Sequence, residues 1–318
     1  MSPWRLVMNH CPITYELVKN GRYSQKGLIA LSPRLKVLND FPFSAQEQLE
    51  LAMQLASKLS IQGVQPKLSV KLTVSKGLFE VVATGGTFIV KPPHQIYAEV
   101  PENEDVTMRL AALFGVDVPM HGLMYNKDGT KSYFIKRFDR LPKGHKVAVE
   151  DFAQLLNHSR DTKYSSSMEK VAYCVEKHTT FPLIEKQKLF RRTLFCFLVG
   201  NEDMHLKNFS LIRKHNKVEL SPAYDLLNTS ILLKSGEELA LPLKGKKSKL
   251  TRDDLFSYFA KDRLGLSDKT IQVVYEELLA VLPHWNMCIQ ECFLSEPTKQ
   301  KYVELLQMRL DRIGILSS

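Results

Sequence analysis

The hydrophobic period changes once along this chain, near residues 139–150, and that change limits the folds open to it. Before it, apolar and polar residues alternate in 68–74, 78–82, 87–91 and 133–140, the spacing of half-buried strands. Gly77, Gly85 and Gly86 punctuate the first three and predict an antiparallel meander. Two helical stretches accompany them. The first, 44–58, has Ser44 and Glu47 at capping-box spacing; the second, 98–114, opens on Glu99, Glu102, Glu104 and Asp105, which suits a helix dipole. After the change, helical spacing dominates in 151–156, 165–176, 184–199, 269–282 and 298–313, with a hairpin at 209–213 and 217–220 and a capped helix opened by Thr251. The pattern predicts an α+β, two-lobed fold: an N-terminal arm (1–43), a small β-rich lobe (44–145) and a larger α-helical lobe (146–318).

At 318 residues the chain can bury two sizeable cores. No apolar run nears the roughly 20 residues that span a bilayer, and the first residues lack a leader pattern, so a cytoplasmic protein without membrane contact is expected. Cys11, Cys174, Cys196, Cys288 and Cys292 are odd in number and scattered, which argues against a disulfide framework. Forty-four Lys and Arg against 34 Asp and Glu give a net charge of +10, a surface that attracts polyanions. The densest basic run is Lys244, Lys246, Lys247 and Lys249, either a phosphate-binding patch or a solvated loop.

The most polar stretch follows the most apolar helix. Gly200, Asn201, Glu202, Asp203, Met204, His205, Leu206, Lys207, Asn208, Phe209 and Ser210 come directly after Leu194, Phe195, Cys196, Phe197, Leu198 and Val199, a rigidly mounted polar loop. Asp203 and Asn208 have the D-x-x-x-x-N spacing of a kinase catalytic loop, where the acid takes a hydroxyl proton and the amide holds a metal. Other parts of a phosphoryl-transfer site occur in the required order. Ser60, Ile61, Gln62, Gly63, Val64, Gln65, Pro66 and Lys67 form a loop that can fold over phosphates. Lys91 ends a β-run stopped by Pro92 and Pro93, where a cation can meet phosphates, and Glu102 or Glu104 can face it. The 133–140 strand can offer backbone groups to an adenine edge, with Phe138 against the ring. Asp225, after Ser221 and Pro222, sits where a metal-binding acid follows the catalytic hairpin.

The segments Ser60 to Lys67, Arg137 to Arg140 and His205 to Ser210 resemble the hallmark segments of HipA-family toxin serine/threonine kinases. The likeness runs from about residue 44 to the C-terminus. Cys11, Pro12, Ile13 and Thr14, with Leu31, Ser32, Pro33 and Arg34, resemble the short HipT branch of tripartite HipBST systems. Full-length HipA proteins carry a further N-terminal subdomain, which the short distance to the phosphate loop leaves no room for here. By resemblance, Asp203 is the catalytic base, Asn208 and Asp225 hold Mg2+, and Lys91 meets the ATP phosphates. Gln62, Gly63, Val64, Gln65, Pro66 and Lys67 cover the nucleotide, and Lys136, Arg137 and Phe138 form the hinge. His205, Leu206, Lys207 and Tyr224 contact ATP, with Lys207 also neutralising the transferring phosphoryl group. Ser60 is the autophosphorylated serine, whose phosphate would repel those of ATP and silence the enzyme. Lys136 stands where relatives often carry Glu, and Asp225 is followed by Leu226 and Leu227 rather than Phe and Gly.

The implied substrate is a Ser or Thr of a translation protein, an aminoacyl-tRNA synthetase, free or tRNA-bound. The implied partners are a HipB-like DNA-binding antitoxin and a small HipS-like protein replacing the missing subdomain, with no DNA binding by the chain alone. The catalytic parts equally suit a small-molecule or lipid kinase, and the net charge alone would suit a basic nucleic-acid-binding regulator.

Overall fold

A computed structural model describes residues 9–57, 66–141, 145–233 and 236–315. In chain order the elements are β1 (Asn9–His10), β2 (Leu17–Val18), α1 (Gln25–Leu31), α2 (Ala45–Ser57), β3 (Leu68–Thr73), β4 (Leu78–Val81), β5 (Phe88–Lys91), α3 (Val100–Leu113), β6 (His121–Tyr125) and β7 (Lys131–Lys136). Then come β8 (Val149–Asp151), α4 (Phe152–Leu155), α5 (Met168–His178), α6 (Pro182–Leu198), β9 (Ser210–Lys214), β10 (Lys217–Leu220), a π-helix (Asp253–Arg263), α7 (Asp268–Glu291) and α8 (Glu296–Arg312). The chain forms two compact units, an α+β organisation. Unit 1 comprises Met1–Asp105, Pro119–Arg137 and Glu291–Phe293; unit 2 comprises Val106–Val118, Phe138–Gln290 and Leu294–Ser318. Among the described residues no helix is long and apolar enough to cross a membrane.

Unit 1 is built on a five-stranded antiparallel sheet ordered β4-β3-β5-β7-β6. The expected meander is therefore incorrect, because β3 lies between β4 and β5. The connection between those two strands passes over β3: Val82 N–H donates to Ser69 C=O at 2.9 Å and Thr87 N–H to Val70 C=O at 3.0 Å. Only glycine fits at that crossing, since a Cβ on Gly86 would lie 2.0 Å from Ser69 Oγ and 3.2 Å from Val70 N. The sheet buries Leu68, Val70, Phe79, Phe88, Val90 and Phe134, with Phe79 5.1 Å from Phe88 and 5.3 Å from Phe134 between ring centroids.

Residues 9–43 are not an extended arm. Cys11, Ile13, Leu28, Leu31, Leu35, Leu38 and Phe41 belong to the same core, and Ser24 caps α1 by accepting from Gly27 N–H. The arm expectation weighed the proline breakers and missed that their neighbours are apolar enough to cover a sheet face. The capping box of α2 forms in both directions: Ser44 Oγ accepts from Glu47 N–H at 3.2 Å and the Glu47 carboxylate from Ser44 N–H at 2.7 Å. β7 runs from Lys131 to Lys136, two residues earlier than expected at its start and four at its end. Its partner β6 was not foreseen, because His121 and Gly122 weaken the strand signal.

Unit 2 is organised on α6, whose Leu189, Phe190, Leu194, Phe195, Phe197 and Leu198 are all fully buried. Trp285 of α7 packs edge-on to Phe195 and Phe114 (5.6 and 5.9 Å) and donates its indole N–H to Leu110 C=O at 2.9 Å. Helix α7 does not stop at residue 282 as expected but continues through Pro283 to Glu291. A proline removes one helical hydrogen bond, and the complete burial of Trp285 and Ile289 beyond it offsets that loss. The helix expected from Thr251 is the π-helix, where the Asp254 carboxylate accepts from Thr251 N–H and Oγ1 at 3.1 and 3.0 Å. β8, also not foreseen, completes a three-stranded antiparallel sheet, β10-β9-β8.

We expect Gly86→Ala to destabilise the chain by about 2 kcal/mol, the cost of an extra methyl group with no space, read as a lower urea midpoint by circular dichroism. Adding Ser69→Ala should return part of the loss; an unchanged midpoint in Gly86→Ala would contradict the crossing.

Candidate active site

In unit 1, Lys91 is the last residue of β5 and only 7% exposed, because Val90 and its neighbours draw the strand into the core. Its Nζ lies 2.6 Å from Glu104 Oε1 of α3 and 5.7 Å from the centre of the Tyr133 ring. The helix therefore presents Glu104, not Glu102, to the lysine. Glu102 lies 3.5 Å from Lys131, and burial pushes its carboxyl group above the ordinary range. Next along α3, Asp105 accepts from Tyr15 Oη at 2.7 Å and pairs with His121 Nδ1 at 2.9 Å, a buried polar cluster that sequence reading missed.

Of the hinge residues, Lys136 ends β7 and gives its N–H to Met120 C=O at 2.8 Å, while Arg137 gives its own to Thr87 C=O at 2.9 Å. These two amides are thus spent within unit 1 and are not the ones a nucleotide base would use. Ser60, Gln62, Gly63, Val64 and Gln65 lie outside the described residues; Pro66 and Lys67 lead into β3.

In unit 2 the polar loop begins where α6 ends. Gly200 has φ +68° and its C=O accepts from Thr229 N–H (3.0 Å), Ser230 N–H (3.1 Å), Thr229 Oγ1 (3.1 Å) and Ser230 Oγ (3.2 Å). Asn201 Oδ1 then accepts from Asp203 N–H at 3.1 Å. Asp203 C=O accepts from His205 N–H and from Asn208 Nδ2, each at 2.8 Å. This last bond joins the two ends of the D-x-x-x-x-N segment and turns the Asn208 Oδ1 away from Asp203. The Asp203 side chain is exposed and its Oδ1 accepts the Tyr164 hydroxyl.

His205 is 5% exposed, and its buried Nδ1 has no hydrogen-bond partner. Burial holds its pKa below the ordinary histidine value and Lys163 acts in the same sense, against the pull of Asp203 and Asp225. The ring is therefore neutral at pH 7. Leu206 and Asn208 are buried in a short 3-10 turn with Lys207 between them. Lys207 Nζ reaches Asp151 Oδ2 at 3.2 Å, and Asp151 also caps α4 by accepting from Gln154 N–H at 2.9 Å.

Tyr224 donates to Lys207 C=O at 3.0 Å, hydrogen-bonds Ser210 Oγ, and stacks on Phe138 at 5.7 Å. Asp225 follows with φ +56°, a left-handed conformation that Asp tolerates better than most residues. Ala223 N–H to Asp117 C=O (2.7 Å) and Ser221 N–H to Ser210 C=O (2.8 Å) hold the segment before it.

Asn208 and Asp225 fit Mg2+, a hard cation usually held by one or two protein oxygens with water and phosphate completing the shell. Among the described residues no cluster of three or more His, Cys, Asp or Glu offers a fuller cage. The basic run is largely neutralised by neighbours: Lys246 Nζ lies 3.1 Å from Asp254, Lys247 Nζ 3.2 Å from Glu237, and Lys244 Nζ 4.0 Å from Asp253. That favours the solvated-loop reading over a phosphate-binding patch.

These residues, Lys91 and Glu104 in unit 1 and Asp203, Lys207, Asn208 and Asp225 in unit 2, are carried on an α+β fold of the protein-kinase-like class. The chain belongs to the HipA-like C-terminal domain family, which matches residues 59–285. It is 32% identical over 258 residues to a Haemophilus influenzae protein inferred to be a kinase, covering 76% of this chain and 75% of that one. It is 26% identical over 262 residues to the serine/threonine-protein kinase toxin HipA of Shewanella oneidensis, covering 72% of this chain and 60% of the toxin. The solved complex of Shewanella oneidensis HipA, HipB and operator DNA contains a chain of the same fold, with TM-score 0.68 at 23% identity over 95% of this chain and 77% of that one.

Glu104→Ala leaves a buried ammonium without its carboxylate and should cost roughly 3 kcal/mol, measured by urea unfolding. Lys91→Met added to it should recover most of that stability but no nucleotide affinity; equal stability of wild type and Glu104→Ala would show that the pair is not buried in solution.

Proposed function

We propose that the chain is an ATP-dependent serine/threonine protein kinase of a toxin-antitoxin system. The observation that carries this reading is the 2.8 Å bond from Asn208 Nδ2 to Asp203 C=O, which sets a base and a metal ligand in one fixed segment. Asp203 accepts the proton of the acceptor hydroxyl, and Asn208 and Asp225 hold Mg2+, which supplies charge neutralisation at the phosphates when bound. Lys91 binds the nucleotide phosphates, steadied by Glu104, and His205, Leu206 and Tyr224 contact ATP. Lys207, oriented by Asp151, adds positive charge where the phosphoryl group transfers. Phe138 supports the adenine, and the loop of Gln62, Gly63, Val64, Gln65, Pro66 and Lys67 covers the phosphates.

The finer assignments rest on the family. The acceptor is a Ser or Thr of a translation protein, an aminoacyl-tRNA synthetase, so that phosphorylation stops translation. Ser60 is autophosphorylated, and the added dianion repels ATP. The Shewanella HipA complex contains HipB and operator DNA, which supports a HipB-like antitoxin here; a small HipS-like protein is the second partner proposed.

Removing a general base costs about a hundredfold or more in rate. Asp203→Asn is therefore expected to keep ATP binding near the wild-type level while losing transfer of radiolabel from ATP to protein and losing toxicity on induction. Undiminished toxicity in that variant would refute the mechanism, and label that reaches sugars or lipids but never protein would favour a small-molecule kinase. Ser60→Asp should be inactive and Ser60→Ala active toward its target in the same assay; equal activity of the two removes the autoregulatory role.

A further inference from the structure

The loop between α4 and α5 leans on the catalytic segment at three points. Lys163 C=O accepts from Leu206 N–H at 3.2 Å, the Tyr164 ring meets His205 edge-on at 5.0 Å and 85°, and the Tyr164 hydroxyl donates to Asp203 Oδ1. Lys163 Nζ lies 4.9 Å from the centre of the Tyr164 ring. Burial and the neighbouring Asp203 carboxylate raise the Tyr164 pKa above the ordinary phenol value, so the hydroxyl stays protonated and can only donate to that oxygen.

Asp203 needs such a partner. Its backbone is fixed by Asn201, His205 and Asn208, but its side chain is exposed. An exposed Asp is free to sample several staggered χ1 wells. Among the described residues only Tyr164 hydrogen-bonds its carboxylate. With Oδ1 occupied, the carboxylate is held in one rotamer and Oδ2 is left to receive an acceptor proton.

We infer that Tyr164 is a positioning residue of the phosphoryl-transfer site, fixing the rotamer of the Asp203 carboxylate through its hydroxyl while its own ring is held against His205. This rests on the reading of Asp203 as the base. The tyrosine touches neither nucleotide nor acceptor; it acts through the carboxylate.

The test uses the purified full chain with Mg2+ and radiolabelled ATP, and protein from a desalted bacterial lysate as acceptor. Label incorporation is measured against ATP concentration for wild type, Tyr164→Phe, Tyr164→Ala and Asp203→Asn. Tyr164→Phe, which removes one oxygen, should lower the maximal rate about tenfold, the equivalent of one hydrogen bond. Its KM for ATP should stay at the wild-type value, so that the loss falls on the maximal rate alone. Tyr164→Ala should be slower still. A Tyr164→Phe chain with the wild-type maximal rate, beside an inactive Asp203→Asn, overturns the inference and leaves the base reading intact. A faster Tyr164→Phe overturns it too, and would make the tyrosine a plug. An Asp203→Asn chain at the wild-type rate removes the base reading and this inference with it.

Discussion

The turn at Gly200 sets the course of the polar loop in unit 2. The chain must pass from a fully buried helix to an exposed carboxylate at Asp203 within five residues of Leu198. It does so with a left-handed residue whose single carbonyl takes hydrogen bonds from both Thr229 and Ser230. A Cβ at Gly200 would lie 2.5 Å from Leu305 Cδ2 and 2.6 Å from Ser230 Oγ, so the turn is closed on all sides. A reorientation of even one bond there would be multiplied along the segment that carries Asp203 and Asn208. Backbone contacts of this kind restrain the loop where it leaves the helix that feeds it.

The electrostatics follow from that rigidity. His205 is buried beside Asp203 and Lys163, and desolvation outweighs the carboxylate, so the imidazole stays uncharged. An uncharged ring leaves Lys207 as the cation of this segment, held by Asp151, while in unit 1 Lys91 is held by Glu104. The two pairs differ in kind. Lys91 and Glu104 are both almost fully buried, while Lys207 remains 41% exposed and can leave Asp151 at little cost. A buried pair fixes position, whereas an exposed one yields a mobile charge.

Much of this was legible in the sequence where a residue type is forced by chemistry. Asp203, Asn208, Asp225 and Lys91 are set by spacing and by strand or helix boundaries, and the structure places the last three on or beside the elements expected. The strand order was not legible, because alternation reports a half-buried face but not which neighbour lies beside it. Nothing short of the crossing itself shows that Gly86 is there to pass Ser69. Residues 9–43 were misread because breakers signal turns without saying what the turns pack against. Tyr164 and Asp151 carry no spacing signal at all: each lies dozens of residues from the group it holds, in segments that read as ordinary loop or helix start.

The positive charge shows the same limit from the other side. A net charge of +10 reads as an affinity for polyanions, and the lysines at 244–249 are its densest concentration. In the fold Lys246 and Lys247 face Asp254 and Glu237, and Asp254 in turn caps the chain at Thr251. Lys246 therefore stabilises the entry to the π-helix, and Lys247 pairs with Glu237 outside it. Sequence counts charges, whereas recognition depends on which of them folding leaves available to an incoming anion. Lys91 and Lys207, one in each unit, are paired as well, with Glu104 and Asp151, and of the two only the exposed Lys207 can exchange its carboxylate for another anion at little cost.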